Sequence, residues 1–524
     1  MEDKISKYNY IFSNTKNIEL IEDFKLRESS VNGSIRIKTS KKELLFDVVI
    51  PLGFPLGKNN TSIRFIVKNI KGYEHQNTDK SICLHPEADI DLEKKLKGEI
   101  DLLFEWIEKY YIQEKRDSNY VYLQHKSEPE TMIFDDIQID KSNKMGVFSF
   151  IHYQPNTFLA LNIGGKKCNW ASHFHKFKEK FTGLWIYIEK EPIINKAQIV
   201  LKWSDLQQFF SKEQINFVYN YRKNKQLLFL MLGYTIPNSN EIHWEMIKID
   251  SNEQIIKGVK YNNRWVGEFT ENNIKWCRTI NSSYNRFFGR GKLSEKLTEK
   301  SILIIGVGAI GSSLAMILTR GGVKKIDIVD YDIVESGNIC RSEYFMDNIS
   351  IYKSVSLFQL ITHISPFIDV NILESIEKTL PDTPNHTKNK ELLKKYDIIF
   401  DCSTDMEMSY MLDKMNLKSE IYNLSITDMA KEFVCVYGRT NITKQKTKIF
   451  NDLNTNFTVD SSDFYPELGC GYPTFKANYN DINTLLNFAI KTINHKYDNN
   501  FEQSSFILRT ESDAINFKIE VDEK

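Results

Sequence analysis

The chain has little that would tie it to a membrane, a nucleic acid or a disulfide framework. Its longest apolar run, "LLFLML" at 227–232, is far short of the roughly 20 residues that span a bilayer. The opening "MEDKISKYNYIF" has no apolar signal core, so the expectation is a cytoplasmic chain with no membrane partner. An excess of one charge is missing too, since 69 Lys and Arg balance 69 Asp and Glu. A balanced chain lacks the basic field by which proteins gather nucleic acid, so no direct nucleic-acid partner is expected. Cysteine is sparse. No two of Cys83, Cys168, Cys277, Cys340, Cys402, Cys435 and Cys470 stand in C-x-x-C spacing, which argues against a structural zinc site of the usual kind. An odd, dispersed set reads as free thiols. The question is which of them do chemistry.

Length alone, 524 residues, suggests about three domains. Apolar spacing at Ile18, Leu20, Ile21 and Phe24 predicts a helix over 15–27. Three strand-like runs follow at 33–39, 43–50 and 62–68, with Gly and Pro punctuating "PLGFPLG". Next comes a loop with Cys83 in "KSICLHPEADI", then a helix over 92–114 with Leu102, Leu103, Trp106, Ile107 and Tyr110 on one face. Residues 1–128 are therefore expected to form an α+β unit. Residues 129–280 alternate strand-like runs such as "GLWIYIE" and "IHWEMIKID" with a helix near 204–222, an α+β linker or docking domain. Within it "KKCNWASHFHKFKEKF" mixes Lys, His and aromatics. Such mixtures are commonly a solvated face, and His173 and His175 alone are weak as metal ligands.

From 281 to 524 the pattern becomes strand, glycine turn, helix, strand, in "SILIIGVGAIGSSLAMILTRGGVKKIDIVDYD". Further αβ alternation follows, with helices at 351–363 and 389–395 and strands "VNIL" and "YDIIFDCS". This predicts an α/β, doubly wound Rossmann-like domain. Gly306, Gly308 and Gly311 form G-x-G-x-x-G between strand and helix, where backbone N–H groups face an anionic ligand. Asp330 ends the next strand, where a carboxylate accepts from ribose hydroxyls. The glycines do not by themselves separate NAD from ATP. "DYDIVESGNICR" adds Asp332, Asn338 and Arg341, Lys353 starts a helix, and Asp401 and Asp405 lie at the end of a later strand. Two cations suit a triphosphate and a strand-end carboxylate suits Mg²⁺. Hydride transfer needs neither, while adenylate chemistry uses both.

This block resembles the ThiF/MoeB/ubiquitin-activating superfamily, whose signature is G-x-G-x-x-G followed by D-x-D-x(5)-N-x-x-R. Asp330, Asp332, Asn338 and Arg341 fall on that pattern, Lys353 on the lysine of the following helix, and Asp401 on the magnesium-site aspartate. Arg290, with Arg286 as alternative, stands where the family supplies an arginine across a dimer interface. The resemblance covers roughly 284–490 and implies ATP- and Mg²⁺-dependent adenylation of a C-terminal carboxylate, commonly by a homodimer. The missing C-x-x-C pairs depart from the zinc-bearing sulfur-carrier branch.

Activating enzymes of conjugation systems pass the acyl group to a cysteine, because a thioester keeps most of the activation energy. Cys340 and Cys402 read as core or wall residues, and Cys435, in "EFVCVYG", as packed. Cys470, flanked by glycines in "YPELGCGYPTF", has the loop setting a carrier thiol needs. The layout of 1–125 resembles a divergent ubiquitin-conjugating domain, with "HQNTDKSICL" in place of the family's His-Pro-Asn…Ile-Cys-Leu. His75 and Asn77 stand on its His and Asn, the latter an oxyanion donor, and Cys83 on its catalytic cysteine. The family's proline is absent and the His75-to-Cys83 spacing is shorter. A conjugating-type domain ahead of an activating domain resembles the fused bacterial enzymes of CBASS anti-phage operons. That resemblance implies activation of a partner's C-terminal tail, from a cGAS-like nucleotidyltransferase or a ubiquitin-like protein, and its transfer to a target lysine or other amine. Two other readings remain open: an adenylyltransferase of cofactor or peptide biosynthesis without conjugation, and an NAD-dependent oxidoreductase.

Overall fold

The structure is a computed structural model of the full chain. It describes all residues except 57–62, 78, 116–126, 136–138, 141, 173–179, 195–197, 223–227, 238, 262–263, 382, 455–463, 466–473 and 513–516. Two compact units emerge, one from 1–168 with 178–281 and one from 169–177 with 282–524. Cys470, His173 and His175 lie outside the described residues.

The first unit opens with helix α1 (Glu2–Asn14), strands β1 (Ile18–Arg27), β2 (Ser30–Ile37), β3 (Leu44–Pro51) and β4 (Arg64–Val67), and helix α2 (Leu92–Trp106). The strands form an antiparallel meander in chain order. Leu44, Phe46, Val48 and Ile50 alternate inward along β3, the period-2 pattern of a sheet with one covered face. They pack with Leu96, Ile100 and Leu103 of α2 and with Tyr8 and Phe12 of α1. The helix predicted over 15–27 is instead β1, with irregular pairing to β2 between Leu20 and Lys25. Apolar residues at mixed steps of one, two and three residues fit a bulged strand as well as a helix. Pairing with the alternating β2 decides for the strand. The helix at 92–114 is α only to Trp106 and continues as a π-helical turn, Ile107–Ile112.

Later in the same unit, eight strands make a second sheet: β5 (Thr131–Phe134), β6 (Met145–Gln154), β7 (Thr157–Ile163), β8 (Lys166–Lys167), β9 (Phe181–Tyr187), β10 (Leu228–Thr235), β11 (Ile242–Ile249) and β12 (Lys275–Asn281). Their order is β5-β12-β11-β10-β9-β6-β7-β8, and β5 also pairs with β7, so the ladder closes on itself. Closure removes the exposed edges of all but β8. Helix α3 (Lys212–Arg222) and a short helix at Trp203–Leu206 cover one side through Trp203, Leu206, Ile215 and Val218.

The second unit is the doubly wound sheet. Its elements are β13 (Ser301–Ile305), α4 (Ala309–Arg320), β14 (Lys325–Val329), α5 (Lys353–Ile364), β15 (Asp369–Ile372), α6 (Pro384–Leu393), β16 (Ile398–Asp401), α7 (Met406–Met415), β17 (Glu420–Thr427), β18 (Glu432–Gly438), α8 (Ile442–Asn454), α9 (Tyr479–Asn499), β19 (Phe506–Ser512) and β20 (Phe517–Glu523). Two-residue strands at 464–465 and 474–475 pair between α8 and α9. The main order is β15-β14-β13-β16-β17-β18-β19-β20. β15 through β17 are parallel and the rest antiparallel. The first strand is buried on both faces: Ile302 and Ile304 join one core, Leu303 and Ile305 the other. That explains the unbroken apolar run "ILII". Strand order reverses beside β13, which opens a crevice at the carboxyl ends of β13 and β16. Ile305 pairs there with both Val329 and Asp401.

Candidate active site

The glycine turn sits at that crevice. Gly306 has φ +79, and a Cβ on it would lie 2.8 Å from Ser403 Cα, so the turn is pressed against the loop that follows β16. A Cβ on Gly311 would stand 2.0 Å from the carbonyl oxygen of Gly306, which is why α4 can start so close to the strand end. Gly308, the N-cap of α4, has nothing within 4 Å of its Cβ position. The twelve-residue α4 has no side-chain cap at Gly308, the setting in which a helix end takes phosphate.

Asp330 closes the turn from β14. Its Oδ2 accepts from Val307 N–H (2.8 Å) and its Oδ1 from Asp332 N–H (2.8 Å). Burial raises its carboxyl pKa, against the pull of those two bonds and of Lys353. Tyr344 Oη donates to Val307 O (2.5 Å) and fixes the turn from below. Lys353, largely buried, pairs with Asp332 at 3.0 Å, and its own N–H donates to Asp332 O (2.8 Å). Asn338 closes a capping box with Glu335 and accepts from Arg341 N–H (3.2 Å) through its carbonyl. Sequence and structure therefore gather Gly306, Gly308, Gly311, Asp330, Asp332, Asn338, Arg341 and Lys353 on the two segments flanking the ends of β13 and β14. Arg290 lies apart in sequence, exposed on the turn after a short helix at Tyr284–Phe288.

Asp401 does not fit the role of metal ligand. It is fully buried, and its carboxylate accepts from Ser403 N–H (3.1 Å), Ser403 Oγ (2.6 Å), Ser409 Oγ (3.0 Å) and Asn423 Nδ2 (2.8 Å). It braces the loop that the glycine turn rests on. The carboxylate facing outward at this strand end is Asp405, partly exposed, which pairs with Lys378 (2.9 Å) and caps α7 through Glu407 N–H (2.8 Å). Among the described residues no three His, Cys, Asp or Glu cluster as a metal cage. Mg²⁺ bound by one carboxylate together with nucleotide phosphates needs none, so Asp405 fits such a site and Asp401 backs it.

The thiols sort by burial. Desolvation pushes Cys168, Cys402 and Cys435 far above the ordinary thiol range and Cys277 up to about 12, the behaviour of inert packed cysteines. Cys340 is exposed rather than a wall residue, its thiol on Gly337 O (3.4 Å). It lies in the turn after the capping box, at the C-cap of the short Ser336–Ile339 helix. Cys83 is half-buried. It follows a tight hairpin in which Asn77 N–H donates to Ser81 O (2.8 Å), while Ile82 N–H donates to Phe65 O (2.9 Å) and seats the segment on the edge of β4. Cys83 N–H donates to His75 O (2.8 Å). These bonds leave the half-buried Cys83 just past two isolated bridges, Ile66 to Ser81 and Gln76 to Ile82. Asn77, expected as oxyanion donor, uses its side-chain amide on Ser81 Oγ (3.0 Å) and staples the hairpin. The side chain beside the thiol is one the sequence reading missed, His85, with Nε2 3.7 Å from Sγ. The C-x-H spacing was its signal.

Residues 281–463 match the ThiF family and residues 157–282 the Cap2 central linker domain. The ATP-dependent ubiquitin transferase-like protein Cap2 of Enterobacter hormaechei is 24% identical over 60% of this chain and 56% of its own length. The adenylyltransferase and sulfurtransferase MOCS3 of Dictyostelium discoideum is 32% identical over 22% of this chain and 26% of its own. The chain thus spans about half of the first relative and a quarter of the second. Among solved structures, E. coli MccB with ATP is 14% identical with a TM-score of 0.31, covering 44% of this chain and 65% of that one. No helix of the described residues is long and apolar enough to cross a membrane. By these matches the chain is similar to Cap2, with a match to the ThiF family following a match to the Cap2 central linker domain.

Proposed function

We propose that the chain activates the C-terminal carboxylate of a partner protein with ATP and conjugates it through thioesters to a target amine. The observation that carries this reading is the pairing of a phosphate-ready glycine turn with Asp330, Lys353 and Asp405 around one crevice. ATP would lie with its ribose on Asp330 and its phosphates between α4, Lys353 and Arg341. The partner's carboxylate oxygen attacks the α-phosphorus, the bond to the bridging oxygen breaks, and pyrophosphate leaves. Mg²⁺ held by Asp405 would neutralise charge on that leaving group. Lys353 and Arg341 stabilise the same charge, with Arg290 of a second copy as the further cation in a homodimer.

The acyl group then moves from AMP to the Cys470 thiolate and, by exchange, to Cys83, and an amine of the target attacks the Cys83 thioester. Residues 1–128 would act as the conjugating domain, 129–280 as the docking domain and 281–524 as the adenylating domain. His85, with Nε2 3.7 Å from Sγ, supports the Cys83 step as a group placed to take the thiol's proton when the thioester forms. The partner tail, from a cGAS-like nucleotidyltransferase or a ubiquitin-like protein, and a place in CBASS anti-phage defence are the finer part of this reading. Adenylation without conjugation would leave Cys83 no task.

ATP–pyrophosphate exchange tests the first half. The full chain with its partner tail is expected to exchange, and Lys353→Ala to lose about a hundredfold in rate, the scale of one removed electrostatic group. Tight NAD binding with no exchange would support the oxidoreductase instead.

A further inference from the structure

Helix α8 carries a lysine where its packing calls for a hydrophobe. Ile442, Ile449 and Leu453 form its buried stripe, and Lys446 stands on the same stripe, four residues after the first and three before the second. Lys446 is 4% exposed, and its ammonium has no hydrogen-bond partner among the described residues. α8 packs on α7 and β18, and on the neighbouring β17 Asn423 Oδ1 and Ser425 Oγ are likewise buried without partners among the described residues. The charges that act on Lys446 are Asp401 and Asp405, while burial itself pulls its pKa down. Neither carboxylate bonds it. Asp401 is occupied by Ser403, Ser409 and Asn423, and Asp405 by Lys378 and the first turn of α7. An amine left buried and unbonded is costly, and an apolar residue of similar length is commonly more stable in its place. A cost of that kind points to a ligand.

We infer that Lys446 is a further nucleotide-binding residue, a buried cation behind α7 held for the phosphate charge of bound ATP. The Ser403–Asp405 loop leads directly into α7, on which α8 packs, and Ser403 is the wall against which Gly306 is pressed. Thr404, at φ +58 within the loop, is strained in a way that a rearrangement on binding relieves. The inference rests on the adenylation reading and deepens it.

The test is Mg·ATP binding to the full chain by calorimetry, together with thermal unfolding, for wild type, Lys446→Met and Asp401→Asn/Lys446→Met. Lys446→Met is expected to weaken ATP about tenfold and to keep or raise the melting temperature. The double variant, which removes both buried charges, is expected to bind ATP as weakly as Lys446→Met. Unchanged ATP affinity in Lys446→Met overturns the inference whatever happens to stability. So does a double variant that regains wild-type affinity, because Lys446 would then only balance Asp401. If wild type itself binds no Mg·ATP, the adenylation reading falls, an outcome distinct from either.

Discussion

Gly311→Ala is expected to abolish Mg·ATP binding, by a hundredfold or more, and to cost about 3 kcal/mol of stability, at the upper end for overpacked sites. The new Cβ would stand 2.0 Å from Gly306 O and 3.0 Å from Gly306 C. Both are backbone atoms of the turn that makes the site, so no side chain can yield. Either α4 withdraws from β13 or the turn opens, and each removes the N–H groups of α4 from the crevice. Gly98→Ala in α2 is the control, because nothing lies within 4 Å of that Cβ position. There the helix-propensity gain of about 1 kcal/mol is the only effect expected. Thermal unfolding and an ATP titration read both variants. Normal ATP affinity in Gly311→Ala would mean that the turn does not hold phosphate.

Asp401→Ala is expected to cost about 3–5 kcal/mol, the scale for breaking a buried charged network by removing one member. The carboxylate receives four hydrogen bonds in a fully buried position. Without it, Ser403, Ser409 and Asn423 lose their common acceptor and Lys446 loses its nearest compensating charge. The loss is therefore expected to be smaller, by about 1 kcal/mol or more, when measured in a Lys446→Met background. Urea unfolding of the four proteins of that cycle gives the number. A cost below about 1 kcal/mol in the single variant would contradict the bracing role.

The nucleotide site was legible because its residues are written close together. A buried strand, a glycine turn and a following acidic strand end occupy consecutive positions in 301–330, and local pattern is what periodicity reads. Asp332, Asn338, Arg341 and Lys353 follow within one connection. Asp401 was assigned by its place at the strand end, but burial by Ser409 and Asn423 from two other elements turned it inward, which the linear pattern does not contain. Lys446 was invisible for the same reason. In "NITKQKTKIF" every lysine reads as solvated, and only packing of α8 on β18 and α7 singles one out. β1 was misread because its spacing fits two periods and its partner β2 chose. In the middle region the parallel pairing of β5 with both β12 and β7 joins residues 131–134 to 278–281 and 157–159, contacts that no local run announces. Cys83 is expected as a nucleophile from "HQNTDKSICL", while the hairpin that withdraws Asn77 toward Ser81 is not written in that stretch.

The central claim is that Cys83 carries an acyl group activated by ATP. The most direct measurement is a non-reducing gel of the full chain co-expressed with the proteins of its neighbouring genes, as wild type, Cys83→Ala and Cys470→Ala. The account predicts a reducible adduct on Cys83 that disappears in both variants, its mass naming the partner. No adduct in any of the three, with ATP–pyrophosphate exchange intact in both variants, would contradict the relay and leave plain adenylation.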